Sequence, residues 1–286
     1  MELIALLQGS TATFITVVII FSLLVGSFLN VVVHRLPIMM EREWQAQLLE
    51  EASQRQETYN LATPRSTCPH CGHQITALEN IPIISYLFLR GKCSDCGAKI
   101  SLRYPIVEFI TALLSALVAW KFGFAWQTLA ALVFTWCLIC LTLIDFDTQL
   151  LPDSITLPLM WLGIFVSLFS LFVGLKPAVI GAMAGYLSLW SVYHLFKLIT
   201  GKEGMGFGDF KLLAALGAWL GWQALPTVIF FSALVGAVVG IGLIILRSRD
   251  RNIPIPFGPF LAIAGWLTFM LGEQASLFYV NLLGWS

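Results

Sequence analysis

The sequence predicts an all-α polytopic membrane protein with about eight transmembrane helices and one small extramembrane insertion. Hydrophobic residues make up 58% of the 286 positions and charged residues only 11%, and the mean hydropathy is +0.85. A soluble domain carries about 25% charged residues, so a soluble fold is excluded. Apolar runs of near-membrane length recur along the chain, and one polar segment holds four of the six cysteines. Lys plus Arg and Asp plus Glu are equal at 16 each. No bulk field recruits nucleic acid, and no nucleic-acid partner is expected.

Crossing roughly 30 Å of hydrocarbon takes about 20 residues. Runs at 14–33, 105–120, 127–144, 154–173, 178–198, 210–222, 227–246 and 260–271 meet or approach that length. The first has no basic n-region and leads into His34 and Arg35 without a small-residue cleavage site, so it reads as a retained signal anchor. With the N-terminus outside, only Lys121 and Lys176 of the 16 basic residues fall on the outer side. Basic residues prefer short cytoplasmic loops, and a missing span would invert every later loop. The polar segment is therefore expected in the cytoplasm, with His34 and Arg35 anchoring the first helix at the interface. Trp120, Trp126, Trp219 and Trp222 are expected near outer helix ends as an aromatic belt.

The insertion covers residues 35–104 and divides the chain into a first transmembrane helix (1–34), a cytoplasmic four-cysteine domain (35–104) and a helical bundle (105–286). Residues 41–57 read as a charged amphipathic helix with Trp44, Leu48 and Leu49 on one side. Beyond it lie Cys68-Pro-His-Cys71-Gly and Cys93-Ser-Asp-Cys96-Gly, two C-x-x-C pairs separated by 21 residues. That spacing is close to the one expected of a four-cysteine zinc site, and the glycines permit the tight turns that aim two thiolates at one ion. Four thiolates leave no open position, so Zn2+ held by Cys68, Cys71, Cys93 and Cys96 would be structural. Disulfides rarely persist in a reducing compartment. His70 and His73 are expected on the surface of the knuckle, and Cys137 and Cys140 are expected as small packing residues within an apolar helix.

Ionisable groups at membrane depth cost about 2.5 to 3.5 kcal/mol on insertion scales. Asp145 closes an apolar helix, and Asp209 follows Gly206-Phe-Gly208 and opens another, where the helix dipole favours a carboxylate. Asp147 and Asp153 stand nearby, and Pro152-Asp153 has the form of an ordinary helix start. Topology puts these acids on the cytoplasmic side. Two carboxylates close together share a proton, so one can act as base on a water while the other acts as acid. The residues by themselves leave Asp145 and Asp147 equally eligible. A transporter would place its acids near the midplane, often in repeated halves; no repeat is present here. A scaffold protein would leave the acidic segments without a task. His194 is expected as a satisfied core histidine, and Glu108 is expected to snorkel or to pair with Arg103.

Leu143-Ile-Asp-Phe-Asp147, Leu151-Pro-Asp153 and Gly204-Met-Gly-Phe-Gly-Asp-Phe-Lys211 resemble the type IV prepilin peptidases, bacterial enzymes that act as leader peptidase and N-methyltransferase. Gly26-Ser-Phe-Leu-Asn-Val-Val-Val-His-Arg35, Glu79-Asn-Ile-Pro82, Arg103-Tyr-Pro105 and Pro254-Ile-Pro-Phe-Gly-Pro259 extend the resemblance over essentially the whole chain. It implies that Asp145 and Asp209 are the catalytic pair of an aspartic endopeptidase in the bacterial inner membrane. It implies prepilin and pseudopilin substrates, in support of pilus biogenesis and type II secretion. It further implies that the insertion takes part in methylating the new amino terminus with S-adenosylmethionine. No Rossmann glycine fingerprint marks a methyl-donor site; Glu79, Arg90 and Gly91, beside the cysteines, are candidates for it.

Overall fold

A computed structural model describes residues 2–48, 58–202, 204–247, 256–272 and 274. In chain order the helices are α1 (Glu2–Gly9), α2 (Thr11–Leu48), α3 (Ile84–Phe88), α4 (Arg103–Phe122), α5 (Trp126–Thr148), α6 (Asp153–Ser167), α7 (Leu175–Thr200), α8 (Phe207–Leu220), α9 (Leu225–Arg247) and α10 (Gly258–Leu271), with a 3-10 turn at Trp222–Ala224. Isolated bridges at Thr67/Gln74 and Lys92/Lys99 are the β-structure among the described residues. Leu49 and Arg55 within the expected amphipathic segment, together with Arg249, Arg251, Pro254 and Ile255, lie outside the described residues.

Thr11–Gln47, Arg103–Phe122, Trp126–Thr148, Leu175–Thr200 and Trp222–Gly242 are long and apolar enough to cross a membrane. The chain is a multi-pass membrane protein. The other three expected runs coincide with α6, α8 and α10, of 15, 14 and 14 residues. At 1.5 Å per residue such helices rise only about 21 to 23 Å, less than the roughly 30 Å of hydrocarbon.

The chain divides into two compact units, Met1–Thr128 and Leu129–Ser286. In the first, α2 and α4 run antiparallel. Phe14 meets Phe124 edge-on at 5.4 Å at one end, and Asn30 donates to the Tyr104 carbonyl at 3.2 Å at the other. α2 continues unbroken through Pro37 to Leu48, so the described part of the expected amphipathic helix is an extension of the first span. Arg35 is buried and donates to the Asn60 carbonyl at 2.9 Å, with the Tyr59 ring 5.6 Å away. It ties the span to the insertion, while His34 is exposed.

In the second unit, α8 is buried on all sides, from Asp209 and Phe210 through Leu212 to Trp219. Small residues allow this. A Cβ added at Gly181 of α7 would lie 2.2 Å from the Gly217 carbonyl oxygen of α8, and one at Gly185 would lie 2.5 Å from that of Leu213. Across the helix, a Cβ at Gly265 of α10 would lie 2.5 Å from Leu216 Cδ2. Trp219, expected in the aromatic belt, is instead 1% exposed and donates its indole N–H to the Leu159 carbonyl at 2.9 Å. Gly163 makes the room, since a Cβ there would lie 2.6 Å from Trp219 Cδ1. Trp120, Trp126 and Trp222 are exposed. His194 is no core histidine: it is exposed, stacked at 4.3 Å on Trp190.

Gly181→Val forces a side chain against backbone that cannot move aside, and overpacking of this kind costs about 1–3 kcal/mol. Its thermal unfolding midpoint in detergent is expected to fall clearly below that of Gly242→Ala, where an added methyl meets nothing within 4 Å.

Candidate active site and metal centre

Asp145 lies in the last turn of α5 and Asp209 in the first turn of α8. They are 4% and 7% exposed and close enough to interact electrostatically. Asp147, two residues on and so on another face of α5, is exposed. The structure thus separates the two acids of Ile-Asp-Phe-Asp that the residues alone left equal.

Two helix N-termini face this pair, and the start of a third is tied to one of them. Gly258 opens α10 against Asp145, where an added Cβ would lie 2.5 Å from Oδ2, and its backbone N–H faces the carboxylate. The Gly206 N–H, at the N-cap of α8, faces the Asp209 carboxylate. Asp153 opens α6 and takes Lys211 of α8 on both oxygens at 2.7 Å. Leu151 wedges the ends together: Cβ atoms added at Gly208 and Gly258 would meet it at 2.7 and 3.1 Å. Each N-terminus carries about half a positive charge, so their dipoles favour carboxylates at this point. Oδ2 of Asp145 is buried with no hydrogen-bond partner among the described residues. A buried acceptor in that condition is free to hold a proton or a water.

Asp153 has the role expected of a helix-start acid, now with a named partner. The ion pair with Lys211 is partly exposed, so it adds only about 0–1 kcal/mol; its effect is to hold the start of α6 beside the start of α8. The contributions of Gly258 and Leu151 had no clear signal in the sequence, because a glycine ahead of a helix and a leucine ahead of a proline are both commonplace.

The four cysteines form a second centre in the first unit. Their Sγ atoms all lie within 4.8 Å of one another, with Cys68–Cys96 at 3.8 Å and Cys71–Cys93 at 3.9 Å. A tetrahedron of thiolates about 2.3 Å from zinc has edges of about 3.8 Å, so the donor set fits a metal of that size. Both knuckles are built alike. Cys68 N–H bonds the His73 carbonyl and Cys93 N–H that of Ala98, both at 2.8 Å, and Gly72 and Gly97 supply left-handed turns at φ +75° and +70°. The thiols compete for charge. The His70 and Cys71 N–H groups hold Cys68 down at about 7. The His73 N–H favours the Cys71 thiolate as well, yet burial and the three neighbouring thiols push that group up to about 12. A bound cation removes this competition.

Glu79 staples the two knuckles. It accepts from the Thr76 N–H and hydroxyl at 2.8 Å each, from Ser94 of the second knuckle, and lies 3.2 Å from His73 Nε2. These bonds, that of Ser94 foremost, hold its carboxyl down at about 2. Gly91 sits at φ +67° with the Tyr86 hydroxyl where a Cβ would be, 2.6 Å away. Both residues are thus tied into the fold of the insertion. His70 is exposed. In α5, Cys140 is buried and Cys137 half-buried, and Cys137 lines a groove against Pro158 and Leu162 of α6.

Comparison with known proteins adds independent evidence. The Bacterial Peptidase A24 N-terminal domain model matches residues 20–122, and the Type IV leader peptidase family model matches residues 132–241. A prepilin leader peptidase/N-methyltransferase of Aeromonas hydrophila is 58% identical over 284 residues, 98% of each chain. Proteins of the same name from Pseudomonas aeruginosa, 56% identical over 99% of each chain, and Neisseria gonorrhoeae, 51% identical over 89% of this chain and 90% of its own, are also similar. No solved structure matches the chain. Family models over both units and full-length relatives of this similarity show that the chain belongs to the type IV leader peptidase family.

Proposed function

We propose that this protein cleaves the leader of prepilins and pseudopilins with Asp145 and Asp209 and then methylates the new amino terminus. The observation that carries the reading is the pair of buried, interacting carboxylates at converging helix starts, in a chain whose relatives bear the name prepilin leader peptidase/N-methyltransferase.

One carboxylate takes a proton from a water as its oxygen attacks the carbonyl carbon of the scissile peptide bond. Its protonated partner donates toward the carbonyl oxygen, and a proton passes to the leaving amine as the tetrahedral intermediate collapses. The unbonded Oδ2 of Asp145 supports a place for the exchanged proton. The helix N-termini stabilise negative charge as it moves between the two carboxylates.

The membrane is the bacterial inner membrane, and the acidic site faces the cytoplasm, as the basic-residue distribution requires. All eight apolar runs insert, with the short α6, α8 and α10 held inside the bundle by their longer neighbours. A basic leader stays in the cytoplasm while the hydrophobic helix of the substrate lies in the bilayer, so the cut falls at the aspartate face. The insertion at 35–104, stapled by Zn2+ on Cys68, Cys71, Cys93 and Cys96, belongs to the methyl-transfer half of the enzyme. S-adenosylmethionine, when bound, supplies the methyl group. The products serve pilus assembly and type II secretion.

Asp145→Asn and Asp209→Asn are each expected to lower cleavage of a leader-bearing peptide by at least about 10²-fold, with unchanged thermal unfolding in detergent. Asp147→Asn, at an exposed position, is expected to cleave within about threefold of the parent, since exposed changes away from a site have small effects. Full cleavage by a folded Asp145→Asn or Asp209→Asn protein would end the assignment.

Metal analysis of purified protein is expected to give one zinc per chain. Cys68→Ser, or exhaustive chelation, is expected to release the metal and expose the insertion to proteolysis, because the ion holds the knuckles together. A metal-free parent with an equally protected insertion would rule out the zinc staple.

A further inference from the structure

The first unit contains a buried acid that peptide cleavage does not use. Glu108 sits in α4, within a span, and is 7% exposed. It was expected to pair with Arg103 or reach for the interface, yet it turns inward. Its hydrogen bond comes from a neutral donor, the Ile83 N–H at 2.8 Å, and the neutral Ser27 hydroxyl lies beside it. No cation is among its partners within the described residues. A carboxylate kept in a span on neutral donors alone is costly and marks a functional position.

Its surroundings are built to hold something. α2 and α4 approach closely here, where a Cβ at Gly26 would lie 2.8 Å from the Glu108 Cα. Ile83, which aims its N–H at the carboxylate, is held at φ +60°. That region is a genuine outlier for a β-branched residue, and such strain persists only where the surroundings enforce it. Ser27 Oγ lies 3.5 Å from Asn80 Oδ1, and Asn80 is exposed, so the cluster is open on that side. Carboxylate, hydroxyl and amide oxygens together present acceptors with one negative charge. A primary ammonium, with three donors and one positive charge, complements that set.

We propose that Glu108, Ser27 and Asn80 bind a primary ammonium, and that its occupant is the amino terminus freed by leader cleavage. The occupant rests on the function proposed above; the ammonium site rests on the cluster. Glu108 is then a binding residue for the methyl acceptor, holding the amine at the insertion while the apolar segment of the peptide stays in the bilayer. The other membrane source of the same chemistry is the headgroup of phosphatidylethanolamine.

Full-length protein in nanodiscs tests this with a pre-cleaved peptide that carries a free amine and a photoreactive first residue. In the parent protein, crosslinks are expected in residues 26–30, 80–83 and 104–111, and they are expected to disappear when the peptide is N-acetylated. Crosslinks confined to other segments, or unchanged by acetylation, would overturn the site, as would labelling of these segments by a photoreactive phosphatidylethanolamine in place of the peptide. Glu108→Gln keeps an acceptor for the Ile83 N–H but removes the charge. It is expected to raise the KM for the pre-cleaved peptide in methyl transfer by about tenfold to a hundredfold, as loss of a charged hydrogen bond does, with a much smaller change in kcat. Cleavage of the leader-bearing peptide is expected to stay within about twofold, which also reports the fold; Glu108→Asp should recover part of the KM. A Glu108→Gln protein that methylates with the parent KM would sink the inference alone, whereas a parent protein that neither cleaves nor methylates would sink the functional reading beneath it.

Discussion

The seat of α8 is the constraint on which the acidic site depends. Apolar side chains gain nothing by leaving lipid for another apolar surface, so helices in a bilayer associate through close van der Waals packing and internal hydrogen bonds. α8 meets this requirement by bringing its backbone against that of α7 at Gly181 and Gly217, and by receiving Gly265 of α10 over Leu216. A helix so gripped has little freedom to slide or rotate. Asp209, in its first turn, inherits that rigidity, and a carboxylate that must meet a second one needs it.

The short helices follow from the same arrangement. α6, α8 and α10, of 15, 14 and 14 residues, are apolar but fall short of the membrane thickness. Their starts gather beside the end of α5, joined by Leu151 between Gly208 and Gly258 and by the Asp153–Lys211 pair. Two buried acids would be prohibitive in hydrocarbon. Converging helix N-termini offset part of that cost with fixed dipoles. The four-cysteine cluster is made differently, from two copies of one local turn, each closed by its own backbone hydrogen bonds and a left-handed glycine. Long-range packing shapes the acidic site, and short-range geometry shapes the knuckles.

Several polar residues at predicted helix ends proved to be internal fasteners. Arg35 reaches the Asn60 carbonyl, Trp219 the Leu159 carbonyl, and Glu108 the Ile83 amide. In each case a loop or neighbouring helix passes close enough to offer a backbone partner, which periodicity along one helix does not reveal. His194 errs the other way: it lies on the outer face of α7 against Trp190, because the inner face is given over to small residues and Tyr193.

The membrane class, the positions of the apolar runs and the four-cysteine knuckles were legible in the sequence, because each depends on composition or on residues within a few positions of one another. The motifs also carried the family resemblance, which singled out Asp145 and Asp209. What only the tertiary structure decided is that Asp145 points into the bundle while Asp147 points out, that Asp209 comes within electrostatic reach of Asp145, and that Gly258 and Leu151 complete the site. These facts rest on contacts between residues 50 or more positions apart, fixed by how glycine faces let whole helices approach, and spacing along the chain does not encode such distances.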